Sequence, residues 1–248
     1  DYRPDARSGN SNGRTQGGSN SAVVIADAYV KGLTGIDFEE ALEAMLKDAT
    51  VPPGGTEEQE GRGGLKDYNR IGYVSQNFHR GGTRTVEYAY NDFNIATVAK
   101  GLGKLEIASR YYDQANNWQN LWRDIINNGS TGFIMPRNAD GSWVDTINCD
   151  LNDAPRESID YHPLARDWPR CVCWWCGFLY EASSWEYSLY VPHDVTSLVV
   201  KSGGTVAFRR RLDTLFDSDF FNVGNEPSFL SPTLYHWIGR PDLSSNRV

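Results

Sequence analysis

Residues 19–49 have the sequence SNSAVVIADAYVKGLTGIDFEEALEAMLKDA, in which two helical patterns are joined by a short turn. Apolar residues recur at helical spacing from Val23 to Leu33 in the first half. Asp37 opens the second half with Glu40 three residues later, which is the pattern of a capping box. The stretch therefore predicts an αα-hairpin as the first element of the fold.

Further helical patterns follow this hairpin, and polar, glycine-rich segments separate them. The sequence predicts helices over residues 84–101, 104–126, 181–190, 195–202, 208–216 and 227–238, with long connections at 52–64 and 127–170. Asp194 is the predicted N-cap of the helix that begins at residue 195, and the Gly203-Gly204 pair is predicted to end it. Strand patterns are sparse. Paired helices that alternate with long polar loops predict a mainly α fold, either an α/α toroid or part of one.

The composition narrows the classes of function. The 248 residues are 40% hydrophobic, which suffices for a sizeable core, and carry a formal net charge of −8. That charge disfavours nucleic acid and anionic membrane surfaces as partners. No apolar run reaches the roughly 18 residues that a transmembrane helix needs. Eight Trp and 13 Tyr fit a core, although such rings also stack on sugars.

The segment EASSWEYSLYVPHD (181–194) is the first candidate for chemistry. In a helix that begins at Glu181, Trp185 lies one turn further on, beside the carboxyl group. An aromatic neighbour removes water and raises a carboxyl pKa, as a general acid requires. Glu186 lies about 140° around the helix from Glu181. The competing interpretation is that both glutamates are solvated or capping residues.

The segment FNVGNEPSFL (221–230) is the second candidate. Asn225 and Glu226 present oxygen atoms at a turn before Pro227, and oxygen atoms at such a turn are ligands for hard cations. The competing interpretation is an ordinary helix N-terminus. Asp27 lies in a mostly apolar helix, where it either pairs with Lys31 or faces a polar cavity.

The tripeptide NGS at residues 128–130 is an N-glycosylation sequon within a predicted loop. Sequons of three residues also occur by chance, so the sequence alone leaves both interpretations open.

Several stretches resemble glycoside hydrolase family 92, the calcium-dependent exo-α-mannosidases, in its fungal branch. They occur in the order of the family and cover most of the chain. These stretches are GGSNSAVVIADAYVKGL, TRTVEYAYNDFNIATVAKGLGK, NNWQNLW, GFIMPRNADGSW, YEASSWEYSLYVPHD and VGNEPSFLSPTLYHWIGRPDLSS.

The resemblance implies a fold, a reaction and a location. It implies an N-terminal β-sandwich followed by an (α/α)6 barrel, with residues 1–248 as part of that catalytic barrel. It implies calcium-dependent release of α-linked mannose, α-1,2-linked in particular, from glycans with inversion at the anomeric carbon. A secreted or extracellular protein that takes part in N-glycan processing is the matching expectation.

The resemblance also assigns roles to residues. Glu181 matches the general acid at the head of the E-x-x-x-W-x-Y motif. The resemblance places Trp185 of that motif and Glu186 in contact with the substrate, and Glu186 ranks second to Glu181. Asn225 and Glu226 match the turn at the Ca²⁺ ion and the bound sugar. Elements that line the mannose subsite match the positions of Asp27, Gly63 and Gly64.

The chain departs from the family pattern at its ends and in one internal stretch. The β-sandwich is expected to precede this chain, and the aspartates that act as general base are expected in the C-terminal part of the barrel, after Val248. Residues 150–178 match the family poorly. On its own, a chain without its base is expected to be poorly active, and apolar faces of a partial barrel favour self-association or a partner that completes the fold.

Two alternatives stay open from the sequence. One is a non-catalytic carbohydrate-binding or structural fragment, which would bind mannose without turnover. The other is a different inverting enzyme on a similar toroid, trehalase-like or glucoamylase-like, for which Asp92 and Asp194 are the candidate bases.

Overall fold

The computed structural model describes residues 20–52, 61–145, 147–149, 159–161, 163–164, 177–180, 182–224 and 226–247. The chain divides into two compact units. The first comprises Asp1–Asn120 and Arg137–Ser142, and the second comprises Leu121–Pro136 and Trp143–Val248. The described part is mainly helical, as the sequence predicts.

The first unit is built from helices. They are α1 (Ser21–Val30), α2 (Phe38–Thr50), α3 (Leu65–Ile71), α4 (Gly81–Gly101) and α5 (Leu105–Gln114), after which a 3-10 helix covers Ala115–Leu121. The predicted hairpin of α1 and α2 and the predicted α4 are confirmed, with ends that differ by a few residues. Helix α3 is not predicted from the sequence; it is short and lies between two glycines that adopt positive φ, Gly64 and Gly72.

The start of α2 shows why the hairpin forms. The Asp37 carboxylate accepts a hydrogen bond from the Glu40 amide at 3.0 Å, which confirms the predicted cap. Leu42 and Met45 lie on the buried face of α2. They belong to an apolar cluster that also contains Ala49, Ala22 and Ala26 of α1, Ile95, Ala96, Val98 and Ala99 of α4, and Ala108 and Tyr111 of α5.

A desolvated ion pair lies in the same unit. Arg62 Nη1 lies 2.6 Å from Asp92 Oδ1, and the side chains are 2% and 0% exposed. The Tyr68 hydroxyl donates to the other carboxylate oxygen at 2.8 Å. Burial raises the pKa of Asp92, while the charge of Arg62 and these hydrogen bonds act in the opposite direction. The cost of burying each of the two charges is therefore offset only while its partner is present.

We expect Asp92→Leu to lower the free energy of unfolding by about 3–5 kcal/mol, because it leaves the buried Arg62 guanidinium without the carboxylate to which it is hydrogen-bonded. The double variant Arg62→Met, Asp92→Leu removes both charges and should recover part of that loss. Urea unfolding of the wild type and the variants measures both values. The expectation would be wrong if the double variant lost as much unfolding free energy as Asp92→Leu and Arg62→Met lose together.

The second unit combines short strands with helices. Its strands are β1 (Trp122–Asn127), β2 (Ser130–Ile134), β3 (Ile147–Cys149) and β4 (Ile159–Tyr161). Its helices are α6 (Ser184–Tyr187), α7 (Val195–Lys201), α8 (Thr205–Asp217), a 3-10 helix at Glu226–Ile238, and α9 (Pro241–Arg247). β1 pairs antiparallel with β2, and β3 pairs antiparallel with β4.

The prediction of one helix over residues 104–126 is wrong in its second half. The α-helix ends at Gln114, and the chain then forms β1, which turns back into β2 through Asn128 and Gly129. Both turn residues have positive φ, 45° and 74°, as a two-residue hairpin turn requires. The predicted loop over residues 127–170 is also wrong where β2, β3 and β4 occupy it.

Gly132 shows how closely the hairpin packs. Its φ is 84°, and a Cβ at this position would overlap the Trp122 side chain of the opposing strand. Gly129 at the hairpin turn also has a positive φ, but a Cβ there would meet no atom within 4 Å. Both glycines therefore adopt a positive φ, but only Gly132 lacks the space for a Cβ atom.

We expect Gly132→Ala to lower the free energy of unfolding by about 1–3 kcal/mol more than Gly129→Ala, because only Gly132 adds steric overlap to the backbone strain. Thermal or urea unfolding of the two variants measures this difference. Equal losses would show that the Trp122 side chain moves away without cost.

Candidate active site

The segment around α6 forms one helical turn. The N-cap is Ser183, and the carboxylate of Glu186 accepts a hydrogen bond from the Ser183 amide at 3.0 Å, which completes a capping box. The predicted helix over residues 181–190 is therefore wrong at both ends, and Glu181 precedes the helix. The helical spacing that placed Trp185 beside Glu181 does not apply, and Glu181 itself lies outside the described residues.

Two serines of this segment join it to β2. The Ile134 amide donates to Ser188 Oγ at 2.8 Å, and the Ser184 hydroxyl donates to the Ile134 carbonyl. The Ser184 amide donates to the Pro163 carbonyl at 2.8 Å. These bonds hold the backbone of the segment on both sides of Trp185.

Trp185 is fully buried in an aromatic cluster. Its ring stacks on Phe220 with centroids 4.7 Å apart and planes 4° from parallel, and it meets Phe133 edge-on at 5.0 Å. Its indole N–H donates to Asn127 Oδ1 at 2.9 Å. These are the contacts of a supporting residue, and the predicted contact between Trp185 and substrate stays a prediction.

Glu186 is 1% exposed and has donors for both of its carboxylate oxygens. Oε1 accepts from the Ser228 hydroxyl at 2.6 Å and from the Asn222 amide at 3.3 Å. Oε2 accepts from the Ser183 amide, and from the Ser183 hydroxyl at 3.4 Å. Glu186 thereby connects the α6 segment to residues 222–228, which include the predicted Asn225–Glu226 turn.

The groups that donate hydrogen bonds to the Glu186 carboxylate are uncharged backbone amides and serine hydroxyls. Burial raises the pKa of this carboxyl group, and the hydrogen bonds from Ser228, Ser183 and Asn222 offset part of that rise. The predicted substrate contact of Glu186 stays a prediction, since its oxygens are already occupied by protein donors in this structure.

The Arg211 side chain of α8 lies against the rings of the same aromatic cluster. Its guanidinium carbon lies 4.4 Å from the Phe133 ring centroid, 5.4 Å from that of Trp122 and 5.8 Å from that of Trp185. Its Nη1 donates to the Gly132 carbonyl at 2.6 Å. Burial lowers the pKa of Arg211 to about 9. Carbonyl oxygens and ring faces thus stabilise a fully buried cation.

The predicted metal turn is described only in part. Asn225 lies outside the described residues, whereas Glu226 is described and exposed at the start of the second 3-10 helix. The Gly224 amide donates to Asn222 Oδ1 at 2.9 Å and tightens the turn. Within the described ranges, no group of three or more His, Cys, Asp or Glu residues could hold a metal ion. Glu226 fits Ca²⁺ as a hard oxygen donor but does not make a site alone.

The predicted glycines belong to the first unit, where the backbone is held closely. The Gly63 carbonyl accepts from the Tyr88 hydroxyl at 2.9 Å. Gly64 has a φ of 69°, and a Cβ there would lie 2.6 Å from Val74. Arg62, directly before them, is fixed by its ion pair with Asp92. The close contacts of both glycines are with protein groups, and the predicted mannose contact stays a prediction.

The predicted aspartates have protein partners. Asp27 is exposed and pairs with Lys31 at 2.6 Å, which is one of the two possibilities left open by the sequence. Asp194 caps α7 by accepting from the Ser197 amide at 3.2 Å, as predicted. Both oxygens of Asp92 accept hydrogen bonds in the buried network. Asp92 and Asp194 therefore have structural roles, and the toroid enzymes that would use them as bases are disfavoured.

The competing interpretation of Glu186 as a capping residue is confirmed, whereas Ser183, Ser228 and Arg211 were not singled out from the sequence. Ser183 and Glu186 have the S-x-x-E spacing of a capping box, so a local signal was present. Ser228 lies 42 positions from Glu186 and Arg211 lies 79 positions from Gly132, and no local pattern marks either contact.

We expect Glu186→Gln to gain stability relative to the wild type as the pH rises above the ordinary glutamate pKa of about 4.3. The folded-state pKa of Glu186 is raised, so the native state holds this proton where the unfolded state has lost it. The wild type therefore loses stability across that window, and the glutamine variant does not titrate here. Urea unfolding at several pH values measures the difference.

Ser228→Ala is the companion variant, because it removes a donor that lowers the pKa of Glu186. Its stability should fall more steeply with rising pH than that of the wild type. Parallel curves for the wild type and both variants would contradict the role of Glu186 burial.

Comparisons with known proteins agree on one family. The family model described as the glycosyl hydrolase family 92 catalytic domain matches residues 1–248. A curated relative from Arthroderma benhamiae, named as an uncharacterized secreted glycosidase, is 40% identical over 266 residues. That match covers 100% of this chain and 32% of the relative.

Solved structures resemble the chain in fold. A family GH92 inverting mannosidase from Bacteroides thetaiotaomicron matches with a TM-score of 0.72 and 28% identity over 90% of this chain and 30% of its own. A GH92 α-mannosidase from the same organism, in complex with mannoimidazole, matches with a TM-score of 0.72 and 26% identity over 92% of this chain and 29% of its own. These matches confirm the predicted fold class, part of an (α/α)6 toroid.

Proposed function

The chain belongs to glycosyl hydrolase family 92, and we propose that the protein releases α-linked mannose from glycans with inversion at the anomeric carbon. The family match along residues 1–248 carries this proposal. The similarity to an inverting mannosidase and to an α-mannosidase bound to mannoimidazole supports mannose as the sugar. The chain spans about a third of the length of these relatives, so the activity is proposed for the whole protein.

Inversion requires a carboxylic acid and a carboxylate about 6.5–9.5 Å apart, with a water molecule between the base and the sugar. Glu181 is the proposed acid, which protonates the leaving oxygen. The proposed base comes from the part of the barrel outside residues 1–248, and a β-sandwich domain completes the protein. Asp27, Gly63 and Gly64 are proposed to line the mannose subsite, and the proposed linkage is α-1,2.

The described contacts of the second unit support a preorganised site. The Ile134 backbone and Ser183 hold the segment that follows Glu181. Glu186 bonds to Asn222 and Ser228 on both sides of the Asn225–Glu226 turn. Residues that are locked by packing and hydrogen bonds keep catalytic groups in place without reorganisation.

Calcium is proposed as the cofactor, with Asn225 and Glu226 among its ligands. Carboxylate and amide oxygens are the donors that Ca²⁺ prefers. When bound, the ion would supply positive charge that orients sugar hydroxyls near the reacting carbon. The other ligands are proposed to come from the rest of the protein.

The proposed location is extracellular, with N-glycans as substrates. The name of the curated relative as a secreted glycosidase supports it. Within the described ranges, none of the helices is long and apolar enough to cross a bilayer.

We expect the full-length protein to release mannose from α-1,2-mannobiose, with β-mannose as the first product in proton NMR. Glu181→Gln should lower kcat by about 100-fold or more, since it removes the general acid. Glu43→Gln, at an exposed glutamate on α2, is the matched control and should keep activity. EDTA should abolish turnover and added Ca²⁺ should restore it.

Each outcome assigns the failure to one part of the proposal. Mannose binding without turnover by the wild type would favour the non-catalytic carbohydrate-binding alternative. α-Mannose as the first product would contradict inversion, and turnover that resists EDTA would contradict the calcium proposal alone.

A further inference from the structure

The tip of the β1–β2 hairpin carries the sequon Asn128-Gly129-Ser130, and no other Asn-x-Ser or Asn-x-Thr occurs in the 248 residues. Asn127 pairs with Ser130, so Asn128 and Gly129 are the two turn residues. Their positive φ values, 45° and 74°, are those of a tight hairpin turn, in which asparagine and glycine are favoured. The turn geometry therefore accounts for asparagine at position 128 and glycine at position 129. It does not by itself account for serine at position 130.

Asn128 is accessible for modification. Its side chain is exposed, and its Nδ2 donates to the Asn127 side-chain oxygen at 3.1 Å. That contact joins exposed Asn128 to half-buried Asn127, whose Oδ1 also accepts the Trp185 indole N–H. A substituent on Nδ2 would extend from the tip of the hairpin and would displace no core residue.

Ser130 is not explained by the fold. The residue is 4% exposed, and its hydroxyl has no hydrogen-bond partner in the part of the chain that the structure describes. A buried hydroxyl without a partner destabilises the folded state relative to alanine at the same position. The sequon, in contrast, requires a hydroxyl two residues after the asparagine. It is recognised before the hairpin folds, when Ser130 is still accessible.

We infer that Asn128 carries an N-linked glycan, which is a modification of the protein itself and is separate from its action on glycans. The Asn128 amide nitrogen forms a bond to C1 of an oligosaccharide carried on a lipid diphosphate. The bond between C1 and the diphosphate oxygen breaks, the lipid diphosphate leaves, and the amide releases one proton. The inference rests on the proposed secretory route and is independent of the proposed hydrolysis.

The test uses the full-length protein expressed in a eukaryotic secretory host. Trypsin cleavage after Arg123 and Arg137 isolates the sequon in one peptide, DIINNGSTGFIMPR. We expect this peptide to carry the mass of one glycan, which peptide N-glycosidase removes. Digestion in ¹⁸O-labelled water distinguishes enzymatic conversion of Asn128 to aspartate from earlier spontaneous deamidation at the Asn-Gly sequence.

A bare peptide overturns the inference. Recovery of bare protein from the medium would reject the site and keep the proposed secretion. Bare protein that stays inside the cell would reject both, and the mannose-release assay on the same protein tests the proposed hydrolysis separately.

Three variants separate the sequon from the turn. Asn128→Asp keeps a residue that tolerates positive φ and should abolish the glycan. Ser130→Ala should also abolish it, and Ser130→Thr should keep it because threonine completes a sequon. A glycan that persists in Ser130→Ala would overturn the assignment.

Thermal unfolding tests the interpretation of Ser130 independently. The comparison is between the double variant Asn128→Asp, Ser130→Ala and wild-type protein that peptide N-glycosidase has deglycosylated, so that both carry aspartate at position 128. We expect the alanine variant to have an equal or higher Tm, because the buried hydroxyl has no partner. A lower Tm would show that the fold requires this hydroxyl, and it would remove the structural reason for assigning Ser130 to the sequon.

Discussion

The Glu186 carboxylate must find its hydrogen bonds inside the protein, because burial removes it from water. It does so with two backbone amides and two serine hydroxyls, which come from Ser183, Asn222 and Ser228. The hydrogen bonds of this one buried carboxylate thus join two segments that are more than 30 residues apart in the chain. In the proposed enzyme, these segments adjoin Glu181 and the Asn225–Glu226 turn. Loss of the carboxylate would leave donors on both segments without an acceptor.

The other buried charges are compensated by different chemistry. Asp92 in the first unit has a cation, Arg62, and the Tyr68 hydroxyl. Arg211 in the second unit has the Gly132 carbonyl and three aromatic rings. Cation–π contacts neutralise a buried guanidinium less completely than a carboxylate partner would. The lowered pKa of Arg211 agrees with this difference. The two units therefore use buried charge in different ways to fix neighbouring backbone.

These supporting contacts bear on how the proposed site would work. Fully buried Trp185 and Glu186 fix the segment that follows Glu181, whereas Glu226 is exposed. A rigid, buried frame beside an exposed oxygen donor is the arrangement expected of a preorganised carbohydrate site. The serines that complete the frame, Ser183, Ser184, Ser188 and Ser228, serve as donors and acceptors to buried groups.

Features that depend on neighbours in the chain can be predicted from the amino-acid sequence. The caps at Asp37 and Asp194, the apolar face of α2 and the family motifs were all readable, because a cap or a helical stripe involves residues only a few positions apart. Tertiary structure decided the rest. Residues 115–127 have a composition compatible with a helix but form a 3-10 turn and a strand, since pairing with β2 and packing of Trp122 on Gly132 outweigh local preference. The partners of Glu186 and Arg211 lie 42 and 79 positions away, and only the folded chain brings such groups within hydrogen-bond distance.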